Sequence, residues 1–168
     1  MKTVLLLAMA SCLAGVVPAH AAAAAGSKIF PFPTQVDDLP NGLRVVTVRL
    51  PYPDLVAFWA VVRTGSRNEV EPGKSGFAHF FEHMMFRGTD KYPPEKYNEI
   101  MKVMGAEENA FTQDDVTAYH VLFGKKDLEQ VMEMEADRFQ NLKYSEEAFR
   151  TEAKAVLGEY NKNFSFPE

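Results

Sequence analysis

The chain of 168 residues carries 18 Lys+Arg against 23 Asp+Glu, a formal net charge of −5, with 46% hydrophobic and 12% aromatic residues. That is enough apolar material for a packed core, which excludes an intrinsically disordered chain, and the length suits one domain. Mild acidity without any run of Lys or Arg excludes nucleic acid as the main partner.

Lys2, an apolar run over residues 4–17 and then Pro18-Ala19-His20-Ala21 have the charged, apolar, small-residue order of a secretory signal. Residues 1–21 are expected to be that signal, cleaved after Ala19-His20-Ala21, with the mature chain periplasmic or secreted; a buried N-terminal helix is the plainer alternative. The apolar run is short for a bilayer span. Cleavage removes Cys12, the only cysteine, so the mature chain rests on core packing or a metal rather than on disulfides. Lipid attachment at Cys12 is disfavoured by the preceding Met9-Ala10-Ser11.

Residues 22–38 read as a linker that Pro31 and Pro33 keep extended, and the domain proper as 39–168. Asn41-Gly42 signals a tight turn, followed by a β-branched strand over 43–50. The more uniformly apolar residues 55–62 read as a buried neighbouring strand. A helical pattern rich in Phe and Met covers 76–86, and Pro93-Pro94 opens a second helix ending near Gly105. Residues 108–113 and 116–123 flank Asp114-Asp115 as an antiparallel hairpin. Leu128, Val131, Met132, Glu135 and Phe139 fall at helical spacing, and Ser145 is placed to cap a last helix reaching about Tyr160. The order β-β-α-α-β-β-α-α predicts an α+β, two-layer sandwich: a mainly antiparallel sheet with helices packed on one face.

Chemistry concentrates in Gly76-Phe77-Ala78-His79-Phe80-Phe81-Glu82-His83-Met84-Met85-Phe86. Helical residues four apart lie about 40° apart around the axis, so His79 and His83 can aim imidazole nitrogens at one ion. Neutral imidazole is a good zinc ligand. Glu82 lies near the same face, where it can deprotonate a water that the metal has acidified. Two histidines and a glutamate on an apolar helix can also be unrelated core and surface residues. Against this, Phe77, Phe80, Phe81, Met84 and Phe86 would form an apolar shell, and polar groups buried there need a partner such as a metal. A catalytic zinc takes three protein ligands and keeps one position open. The last helix offers Glu152 and Glu159, seven apart on one face; spacing alone leaves both open.

The run Gly76-x-Ala-His-x-x-Glu-His-x-x-Phe-x-Gly-Thr89 resembles the signature of the pitrilysin, or M16, metallopeptidases, the inverted zincins. The likeness extends from about Leu39 to Tyr160. It implies one Zn²⁺ per chain held by His79, His83 and Glu159, with Glu82 as general base. Glu159 stands at the family's interval after the second histidine, and Glu152 falls where the family supports a ligand by hydrogen bonding. Asn109, Ala110, Phe111 and Thr112, followed by Asp115, Thr117 and Tyr119, resemble the family's hairpin whose edge pairs with the substrate backbone. The resemblance implies an M16/LuxS-like domain, incomplete at its C-terminus, acting on peptides or unfolded polypeptide segments. A second M16-type half, in cis or in a partner subunit, would complete it. Ala153 departs from the basic residue the family often has there. Non-catalytic, partner-dependent halves also occur in the family and would be expected to lack a ligand or the base, whereas all four residues are present. A structural zinc site is disfavoured because such sites are thiolate-rich.

Overall fold

The computed structural model describes residues 31–165, so the expected signal at 1–21 lies outside the described residues. The chain divides into two units between Leu50 and Pro51. In the first, β1 (Thr34–Asp38) and β2 (Arg44–Val48) pair antiparallel from Thr34 opposite Val48 to Asp38 opposite Arg44. Asn41 shapes the turn by accepting from Leu43 N at 3.1 Å, and Arg44 grips Asp38 at 2.7 and 2.9 Å. Thr34–Asp38 was expected in a linker. It is a strand because Pro31, Pro33 and Pro40 flank it without interrupting it, and the turn brings β2 back alongside.

The second unit contains a three-stranded antiparallel sheet in the order β3-β5-β4, from β3 (Leu55–Val62), β4 (Glu107–Thr112) and β5 (Thr117–Gly124). The helices are α1 (Phe77–Met84), α2 (Pro94–Met104), α3 (Leu128–Asn141) and α4 (Glu146–Ser165). Pro94 starts α2 and Gly105 ends it, with Ala106 N returning to Met101 O at 3.0 Å. Ser145 caps α4, its Oγ accepting from Ala148 N at 3.1 Å. Side chains from one face of the sheet (Val56, Phe58, Val121, Phe123) meet Tyr97 and Met101 of α2 and Val131 and Met134 of α3 in the core. The architecture is the α+β arrangement expected, with helices on one face. No helix of the described residues is long and apolar enough to cross a membrane.

Two expectations differ from this structure. Among the described residues the segment 55–62 is an edge strand rather than a buried one: Leu55, Trp59 and Val61 are each more than half exposed. An apolar run does not reveal whether one face or two will be covered, and the helices cover one. The buried stripe of α3 is Val131, Met134, Glu135 and Arg138, while Leu128, Met132 and Phe139 are exposed. Placing Arg138 inside is tolerable because its Nη2 donates to Glu135 Oε2 at 2.7 Å, Tyr97 donates to Glu135 Oε1 at 2.9 Å, and the guanidinium lies 5.0–5.7 Å from the rings of Phe86, Tyr97 and Tyr119. Arg138→Met leaves Glu135 buried and uncompensated, and is expected to lower stability by about 3–5 kcal/mol. Adding Glu135→Leu should recover much of that loss; urea unfolding of the two variants checks both.

Candidate metal centre

The centre is built on α1, whose start is fixed from outside the helix. Gly76 takes φ +93°, a left-handed conformation suited to glycine, and the Glu69 carboxylate accepts from the N–H groups of Gly76 and Ala78. Phe80 packs edge-on against Phe149 of α4, ring centroids 4.8 Å apart, which seats the two helices side by side. Across that seam the donors converge. His79 Nε2 and His83 Nε2 are 3.2 Å apart, and Glu159 Oε2 is 3.3 Å from the first and 3.7 Å from the second.

Three atoms of this kind crowd together at a cost unless something positive lies between them. Donors about 2.0–2.1 Å from a tetrahedral zinc stand roughly 3.3 Å from one another, so the observed triangle fits that ion. Its chemistry fits as well, with two imidazoles, one carboxylate and no thiolate. On the far side of His83, Nδ1 donates to Glu152 Oε2 at 2.9 Å. That bond fixes the tautomer with its lone pair on Nε2, facing the triangle. Glu152 is 6% exposed, and its second oxygen contacts the Arg87 guanidinium.

Glu82 is outside the triangle, and Thr112 Oγ1 donates to its Oε2 at 2.6 Å. Tyr119 lies beneath on β5, its phenol pushed up to about 12 chiefly by burial and, among the smaller causes, by the charge of Glu82. Within the 109–112 group it is the Thr112 side chain that hydrogen-bonds to α1. Asn109 Oδ1 accepts from the neighbouring Ala110 N at 2.9 Å, so this side chain is engaged within its own strand. Phe111 turns to the opposite face of the sheet, edge-on to Trp59 with centroids 6.3 Å apart. The backbone of these residues forms β4, which pairs with β5 on one side and is an edge of the sheet among the described residues.

The apolar shell expected around the centre is one-sided. Phe77 and Phe81 are each 51% exposed, because residues two before and two after His79 sit about 200° round the helix from it. His79 and Glu159 side chains remain 39% and 49% exposed, which leaves one side of the triangle open to solvent. Glu69, Arg87 and the Thr112 hydroxyl contact were not legible in the sequence. Each acts across a gap in chain position, and only the H-x-x-x-H-x-x-x-Arg periodicity hinted that Arg87 continues the His79–His83 stripe.

A two-layer α+β domain whose sheet-backed helix brings two histidines to a carboxylate on a neighbouring helix, with Glu82 beside them, has a donor set suited to a metal ion. Residues 44–167 match the Insulinase (Peptidase family M16) family, and the chain belongs to it. It is 34% identical to an uncharacterized zinc protease of Rickettsia bellii over 124 residues, covering 74% of this chain and 30% of the relative. It is also 34% identical to the mitochondrial cytochrome b-c1 complex subunit 1 of Rattus norvegicus over 131 residues, covering 77% of this chain and 27% of that one. Among solved structures, the periplasmic protease PqqL from Escherichia coli superposes with a TM-score of 0.69 at 32% identity, covering 76% of this chain and 15% of that chain. The chain therefore spans about a third or less of these relatives' lengths, and the family it joins is one of peptidases.

Proposed function

We propose that this chain carries the metal and base of a zinc endopeptidase that hydrolyses peptides or unfolded polypeptide segments. The observation that carries the reading is the His79–His83–Glu159 triangle at 3.2–3.7 Å with Glu82 one residue from its second histidine. One zinc held there would acidify a water and polarise the scissile carbonyl. The residues of the chain do the rest. Glu82 takes a proton from the attacking water as the water oxygen bonds to the carbonyl carbon, then returns it to the amide nitrogen as the C–N bond breaks. Thr112 holds Oε2 of Glu82, leaving Oε1 to carry that proton. The outer edge of β4 offers backbone groups to an extended substrate, as in strand addition to a sheet.

Groups that cover the open side and stabilise the oxyanion would come from a second M16-type half, in the same polypeptide or in a partner subunit. The secretory pattern of residues 1–21 supports a periplasmic or secreted location. The likeness to a cytochrome b-c1 complex subunit supports a second reading, a peptide-binding subunit without turnover. To separate the two, the full-length protein is assayed for zinc and for cleavage of unstructured peptides. The expected result is about one zinc per chain, with cleavage abolished by 1,10-phenanthroline and restored by added zinc. Zinc without cleavage supports the binding subunit, and a protein that holds no zinc defeats the endopeptidase reading.

A further inference from the structure

Arg87 stands four residues beyond His83, on the tight turn Met85–Arg87 that prolongs α1. The turn is held on its far side. Gly88 takes φ +77°, and a Cβ there would come within 2.6 Å of Tyr92 O. Lys143 N, in the connection between α3 and α4, donates to Gly88 O at 3.1 Å, and Thr89 N bonds Tyr92 O at 3.0 Å. Arg87 is thus delivered by a fixed backbone, and its Nη2 contacts Oε1 of Glu152. Glu152 Oε2 in turn accepts from His83 Nδ1 at 2.9 Å. Glu152 is 6% exposed, and a buried carboxylate is costly unless both of its oxygens find partners. Without Arg87, Oε1 would be left unpaired, and the carboxylate would gain by rotating away from His83 toward solvent or another donor.

We propose that Arg87 is a positioning residue of the metal centre, acting through Glu152 to hold the His83 ring with Nε2 aimed at the ion. This rests on the zinc reading above. The geometry orders the chain of influence: guanidinium to Oε1, carboxylate to Nδ1–H, and the opposite nitrogen into the triangle with His79 and Glu159. A guanidinium suits the task because its planar fork fixes the orientation of a carboxylate, whereas an ammonium supplies the charge without the direction.

The test measures zinc release from the loaded full-length protein into a chromogenic chelator, for wild type, Arg87→Met, Arg87→Lys, Glu152→Gln and the double variant Arg87→Met/Glu152→Gln. Loss of an outer partner of a ligating histidine typically weakens metal binding about 10–100-fold, so Arg87→Met should release zinc at least about 10-fold faster, with Arg87→Lys in between. Because Arg87 acts through Glu152, the double variant should match Glu152→Gln rather than multiply the two losses. Thermal unfolding of the apo forms identifies any variant whose loss is one of folding, and the conservative Lys variant keeps the test decisive in that case. Wild-type release by Arg87→Met, or multiplied losses in the double variant, overturns the proposal. A wild-type protein that holds no zinc overturns the metal reading, and this inference with it.

Discussion

Glu82→Gln in the full-length protein is expected to keep its zinc and its peptide affinity while turnover falls by about 10²–10⁴-fold. Gln has nearly the same shape and still accepts the Thr112 hydroxyl, whose bond to Glu82 Oε2 is 2.6 Å. It cannot take up the water proton, so the loss belongs to the chemical step alone. Nothing in the triangle changes, since Glu82 is not one of the three converging groups. Steady-state cleavage with metal analysis of the same preparation decides the matter. Wild-type turnover in this variant would show that another group is the base.

The second large effect concerns the metal. His83→Ala is expected to abolish stoichiometric zinc, because it removes one donor of three and also the group that Glu152 is placed to orient. Glu159→Gln should lose most of the metal too, since a neutral amide replaces the carboxylate oxygen that faces both Nε2 atoms at 3.3 and 3.7 Å. Glu152→Gln should bind more weakly by about 10–100-fold without losing the site. Metal content after dialysis ranks the three. If Glu152→Gln empties the site while Glu159→Gln keeps it, the two carboxylates have the opposite roles.

The sequence by itself determined the local features. Hydrophobic periodicity and the Pro93-Pro94 and Ser145 signals located α1 to α4 within a few residues, and Asp114-Asp115 marked the β4–β5 hairpin. The pairing of His79 with His83 follows from helical geometry within one turn, which needs no knowledge of the rest of the chain. Spacing could not choose between Glu152 and Glu159. Both lie on one face of α4, two turns and about 10 Å apart along the axis, and only the seating of α4 against α1 brings one to Nδ1 of His83 and the other to the two Nε2 atoms. The same limit applies to Glu69 at the start of α1, Thr112 on Glu82 and Arg87 on Glu152: each contact joins segments whose separation in sequence carries no period to read. Tertiary structure also decided which face of β3 and which stripe of α3 would be covered, because burial depends on what packs against an element and not on its own pattern alone.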